Sequence, residues 1–129
     1  MPPMSSGATA RCVMTTDADT TVGELRELVA AFIRQRNWEQ FHDPKNLSMA
    51  IATEAAELME HFRWATNAEA RDLLRDPARR QAISEEIADI LAFLLSFANT
   101  AGIDLAAALN AKMTKNARKY PPDEYQGRY

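Results

Sequence analysis

The sequence predicts an all-α domain, a four-helix-bundle-like arrangement with one additional short helix. Three observations predict it. Apolar residues recur at three- and four-residue spacings over long stretches, as on one face of an α-helix. No stretch shows sustained period-two alternation or a hairpin turn pair. Glycine is scarce, at four of 129 residues, and Pro44, Pro77, Pro121 and Pro122 punctuate the periodic stretches.

The elements follow in order. Residues 1–19 are rich in Pro, Ser, Thr, Gly and Asp and read as a flexible arm. Thr21 and Glu24 have capping-box spacing and open a first helix. It carries Leu25, Leu28, Val29, Phe32 and Ile33 on one face and ends near Phe41. Asp43 caps a second helix, Pro44 suits its first position, and it runs to about Trp64. "TNAEARDLLRD" is a short connecting helix capped by Asn67 and broken at Asp76-Pro77. A fourth helix, about 78–100, should bury Ile83, Ile87, Ile90, Leu91, Leu94 and Phe97, and Gly102 caps its end. Asp104 caps a fifth helix that runs to about Arg118. The expected domain is therefore 20–121, with 122–129 as a short C-terminal tail.

Composition excludes several classes. A chain of 129 residues fits one domain with a core of its own. Its net charge of -3 gives no bulk electrostatic case for nucleic acid or a membrane surface. No run approaches the ~18 apolar residues of a membrane span. The N-terminus lacks the basic start and apolar block of a secretory signal. Cys12 is the only cysteine, so no intrachain disulfide forms. A reducing, cytoplasmic setting is the default.

The chemistry lies in a local echo, "EAAE" at 54–57 and "EIAD" at 86–89. Each sets two carboxylates at i and i+3, one turn apart on one helical face. Glu54 stands three after Ile51 and four before Leu58. Glu86 stands three after Ile83 and four before Ile90. Both pairs thus point at the seam their helices build. A single Glu-x-x-Glu is ordinarily a solvated surface pair, as for Glu60, Glu69 and Glu85. Two pairs set into apolar stripes are different, because buried unpaired charge costs several kcal/mol per ion. Neither helix has a basic residue between its pair members. A divalent cation with hard oxygen ligands neutralises such a set: Mg2+, or Mn2+ in its place. A di-iron bundle requires two Glu-x-x-His motifs. Glu39-x-x-His42 occurs once, and His61 lies four after Glu57, the wrong offset.

Glu54-x-x-Glu57, 28 residues, then Glu86-x-x-Asp89 resembles the MazG-type all-α nucleoside triphosphate pyrophosphohydrolases. "RNWEQFHDPKNL" at 36–47, "FRW" at 62–64 and "KMTKNARKYP" at 112–121 are similar to the small dCTP pyrophosphatase branch. The resemblance covers about residues 22–121. It implies the MazG fold, cleavage of a dNTP (dCTP or a modified dCTP favoured) to the monophosphate and pyrophosphate, a Mg2+ cofactor, and a homodimer or homotetramer with sites between subunits. It implies a role in clearing surplus or non-standard nucleotides.

By that resemblance Glu54, Glu57, Glu86 and Asp89 are the metal ligands. Glu57, or Glu54, is the candidate to orient or deprotonate a water, and sequence does not separate ligand from base. Lys112 and Asn116 match substrate contacts, with Arg118 and Tyr120 beside them. On spacing alone the cations are a basic helix end complementing the dipole. Trp38 and Trp64 match residues that wall the nucleobase, and His42 and Asn46 lie in the matched loop. For a lone Trp, packing is the commoner role. Phe93 stands where the dCTP branch has a tyrosine against the sugar, and Val29 where it has a histidine. Both departures remove polar contacts and weaken strict cytosine selection. The alternative function is a non-catalytic helical nucleotide-sensing or interaction protein on the same scaffold.

Overall fold

A computed structural model describes residues 15–128. The predicted arm falls outside it as far as residue 14, as does Cys12. Among the described residues there are six α-helices and no strand: α1 (Val22–Gln35), α2 (Pro44–Glu60), α3 (Asn67–Leu73), α4 (Pro77–Ala101), α5 (Leu105–Lys119) and α6 (Pro122–Tyr125). A 3-10 turn at Glu39–Phe41 joins α1 to α2.

The helix starts follow local chemistry. Thr21 accepts from the Glu24 N–H while Glu24 accepts from the Thr21 N–H, a complete capping box. Asp43 accepts from the Asn46 N–H, with Pro44 at the first position of α2. Asp104 accepts from the Ala107 N–H. The cap of α3 is Thr66 rather than Asn67. Thr66 can exchange two hydrogen bonds with Glu69, and that pairing draws Asn67 into the first turn. Gly102 ends α4 in the left-handed region at φ 66°.

The first helix stops at Gln35, six residues before the expected end at Phe41. Asn37 takes a left-handed φ of 53°. Its N–H donates to Arg34 O and the Trp38 N–H donates to Ile33 O, both at 3.0 Å. This is a Schellman closure with Asn in the position glycine usually fills. It brings the Trp38 ring edge-on to Phe32, with centroids 5.9 Å apart. The short region read as a tail holds the single-turn helix α6, where Tyr125 packs edge-on to Tyr120.

The main seam is α2 on α4, with α1 laid on α4 beside it. The two long helices run antiparallel. His42, just before α2, pairs with Ser96, while Glu54 further along meets Glu86. Ile33, Leu47, Ile83, Leu95 and Ala98 form the buried core, and Leu47 is only 2% exposed. Of the expected α4 core, Ile83 is buried and Ile90 and Phe97 are half-buried. Ile87, Leu91 and Leu94 are exposed. The apolar stripe of α4 is wider than α1 and α2 can cover. Leu28, Phe32, Met49, Leu109 and Met113 are exposed as well, and α5 packs extensively along no other helix.

Thr21→Ala is expected to cost about 1 kcal/mol, the usual loss for a side-chain cap. Urea unfolding reads the cost directly. A loss below a few tenths would mean that packing on α4 alone holds the start of α1.

Candidate active site

The α2–α4 seam brings three of the four predicted acids into one cluster, and Asp89 stands outside it, on the wall of the adjacent cavity. One carboxylate oxygen from each of Glu54, Glu57 and Glu86 lies within 4.8 Å of the others. The pairs are not equivalent. Glu54 and Glu86, the inner members, are half-buried, while Glu57 and Asp89 stand exposed at the edge. Glu54 Oε2 and Glu86 Oε2 are buried and have no hydrogen-bond partner among the described residues. Buried acceptors without donors are rare and costly, about 1–3 kcal/mol each. The basic side chain beside them is His61, whose Nε2 is 3.9 Å from Glu86 Oε1, too far for a hydrogen bond.

These surroundings raise the Glu54 pKa above its ordinary value of 4.5. Burial is the largest cause, followed by the repelling charges of Glu57, Asp89 and Glu86. A divalent cation would satisfy the orphaned oxygens and reverse the repulsion. The donor set, all hard carboxylate oxygen, fits such an ion.

The sign of the pH effect follows. Below the ordinary glutamate pKa, Glu54 is protonated in both folded and unfolded chains. As pH rises, the unfolded chain releases this proton first, so the folded state loses stability until Glu54 itself ionises. In EDTA, the melting temperature of the wild type relative to Glu54→Gln is therefore expected to fall between about pH 4.5 and neutrality. Added divalent ion should restore it at pH 7. A difference that stays flat with pH would sink the account.

Beside the acids is a second feature. Val29, Phe32, Ile33, Trp38, His42, Asp89, Ala92 and Phe93 line an apolar cavity of about 240 Å³. The sequence-predicted Trp38, His42 and Phe93 meet there, with Asp89 linking the cavity to the carboxylates. The His42 ring lies against Phe93 at a centroid distance of 6.3 Å and 30° between planes. Val29 and Phe93 both line this wall.

Other predicted residues are placed elsewhere. The Asn46 amide donates to Phe41 O at 3.2 Å and to Asp43 Oδ2 at 3.0 Å, so its side chain is engaged in closing the start of α2. Trp64 is 85% exposed and lines a different groove with Glu60, His61, Glu69, Leu73 and Arg79. Trp38 and Trp64 flank opposite ends of α2, whose 17 residues span about 25 Å. Lys112, Asn116 and Arg118 stand on α5, which packs extensively on neither α2 nor α4, and Tyr120 just beyond its end packs on Tyr125. Two residues escaped notice in the sequence. His61 has the wrong offset for a di-iron motif, yet its ring stands beside Glu86. Ser96 is buried behind His42, and its one signal was a hydroxyl inside the apolar run "LAFLLSFA".

The fold and the acid cluster define a helical protein with a shared carboxylate centre beside an aromatic cavity. The chain belongs to the MazG-like family, whose profile matches residues 49–128. It is similar to dCTP pyrophosphatase 1 of Homo sapiens, 40% identical over 103 residues that cover 80% of this chain and 61% of that protein. The rat protein of the same name is 39% identical over the same shares. The chain thus spans about three-fifths of the length of the curated relatives it matches. A crystal structure of a pyrophosphatase from Archaeoglobus fulgidus DSM 4304 superposes with a TM-score of 0.73 at 40% identity, over 77% of this chain and 91% of that one. No single helix among the described residues is long and apolar enough to cross a membrane.

Proposed function

We propose that the chain is a Mg2+-dependent nucleoside triphosphate pyrophosphohydrolase. It would convert a dNTP, with dCTP or a modified dCTP favoured, and one water into the dNMP and pyrophosphate. The observation that carries this reading is the pair of buried, partnerless oxygens on Glu54 and Glu86, facing one cluster beside an aromatic cavity. The relatives' names, dCTP pyrophosphatase 1, support the substrate class. A role in cytoplasmic nucleotide clearance fits that chemistry.

Glu54, Glu57, Glu86 and Asp89 would hold the ion. When bound, magnesium offsets phosphate charge and acidifies a water. Glu57, exposed at the cluster edge, would orient that water or accept its proton. Trp38 and Phe93 offer flat apolar faces for the base. Trp64 lines a different groove from Trp38, past the other end of α2, and Lys112, Asn116, Arg118 and Tyr120 belong to a helix that packs extensively on none of the elements lining the cavity. They would serve the site of a neighbouring copy. The exposed Ile87, Leu91, Leu94, Leu109 and Met113 support a homodimer or homotetramer.

The deciding experiment is a panel of canonical and modified nucleotides assayed for pyrophosphate with Mg2+ or EDTA, with Glu57→Ala as control. Release from a deoxycytidine nucleotide, dependent on the ion and lost in Glu57→Ala, is expected. No release from any nucleotide would overturn the reading and favour a nucleotide-sensing protein.

A further inference from the structure

His42, with Ile33, stands between two cavities. One is the aromatic cavity beside Asp89. The other, about 320 Å³, is lined by Ala30, Ile33, Arg34, Glu39, His42, Ser96, Asn99 and Thr100. Three α4 residues grip His42 from one helical face. Phe93 lies against its ring. Ser96 Oγ is 2.9 Å from its Nδ1. Thr100 Oγ1 donates to its backbone carbonyl at 3.2 Å. The spacing 93, 96, 100 is that of neighbours on one face.

The Ser96 bond has a direction. Thr53, Ser84 and Thr114 each donate their hydroxyl proton to the carbonyl four residues back. Ser96, only 3% exposed, makes no such bond among the described residues, and its Oγ instead lies 2.9 Å from His42 Nδ1. A buried O–H requires an acceptor. Nδ1 accepts only when the imidazole is neutral and its proton sits on Nε2.

We propose that Ser96 is a positioning residue whose buried hydroxyl donates to His42 Nδ1 and holds the ring as the Nε2–H tautomer. His42 then offers a ligand a hydrogen-bond donor. Its complement is an acceptor atom of the nucleobase, a carbonyl oxygen or an unprotonated ring nitrogen. In an apolar cavity such a donor discriminates strongly, because a base without a matching acceptor leaves it unsatisfied. The tautomer stands on geometry alone, and the nucleobase assignment rests on the function proposed above.

Two measurements separate these parts. Long-range 15N NMR of ligand-free protein reads the tautomer, with His42→Gln identifying the signals. The wild type should show an unprotonated Nδ1 and a protonated Nε2, and Ser96→Ala should show mixed tautomers. A wild-type ring protonated at Nδ1 alone, or an unchanged pattern in Ser96→Ala, would overturn the proposal, whatever the activity.

The second measurement is a KM-against-kcat split with dCTP. Ser96→Ala should raise KM about threefold to tenfold, the range of one neutral hydrogen bond, with kcat little changed. His42→Gln places an amide N–H where Nε2–H was and should retain affinity, whereas His42→Asn should lose it. Adding Ser96→Ala to His42→Gln should cost nothing more. A further loss in that double variant would mean that Ser96 acts by packing, against the proposal. If dCTP is not hydrolysed, its binding is read by calorimetry with Ca2+ on the same variants. Absence of binding there rejects the nucleobase assignment and leaves the tautomer to the NMR result.

Discussion

Glu86→Gln is expected to abolish pyrophosphate release and, in EDTA, to raise the melting temperature. The two effects have one cause. Glu86 carries a buried oxygen with no partner, held against Glu54 and Glu57. Glutamine keeps the shape, removes the charge and adds an N–H₂ donor within reach of the equally orphaned Glu54 carboxylate. Satisfying one buried acceptor is worth about 1 kcal/mol or more, or about 3–5 °C for a domain of this size. The same change removes one ligand of the proposed ion. Activity should fall by more than the ~10–100-fold that losing a residue behind a metal ligand costs. Excess Mg2+ should stabilise the wild type and leave Glu86→Gln nearly unmoved. A melting temperature that stays level or drops in EDTA would mean that the acids are already neutralised, with His61 the first suspect. The cluster would then be structural. Strain kept at a site at the expense of stability is what a working centre requires.

Features that depend on short sequence spacing were readable from the chain alone. The i, i+3 acids and their interruption of two apolar stripes are helical periodicity, and they set Glu54, Glu57 and Glu86 at the seam, while the outer acid of α4, Asp89, turns to the cavity. The caps at Thr21, Asp43, Asp104 and Gly102 are equally local. Features that depend on distant partners were not readable. Periodicity marks Ile87, Leu91 and Leu94 as an apolar face but says nothing of what covers it. His42 and Ser96 are 54 positions apart, so no spacing rule joins them. Asn46 looked like a substrate contact because its segment matches one. The geometry shows its amide engaged by Asp43 and Phe41 O. The early stop of α1 was missed because Asn37, not glycine, takes the left-handed turn. That single residue swings Trp38 off the end of α1 and into the cavity wall.

Trp38→Ala should therefore act on substrate affinity far more than on the fold. Trp38 is 43% exposed, and its partner Phe32 also packs under Arg36, whose guanidinium carbon lies 3.6 Å from the ring centroid. Removing the indole leaves that contact in place, so thermal stability should change little. The base has more to lose. With Val29 and Phe93 apolar, the cavity offers it faces rather than polar edges, and stacking on an aromatic is worth about 1–3 kcal/mol per base. KM should rise about 10–100-fold, with kcat within about threefold. Trp38→Phe should recover most of the loss, because it keeps a flat face of smaller area. A Trp38→Ala enzyme with unchanged KM would move the base elsewhere, and loss confined to kcat would make Trp38 part of the chemistry. Trp64 supplies the matching test of assembly. It sits beyond the far end of α2, so it can touch the same base only from another copy. If Trp64→Ala also raises KM, mixing it with Trp38→Ala should restore a share of normal sites, because some pockets then receive both tryptophans from different chains. No recovery on mixing would mean that each chain builds its base pocket without Trp64.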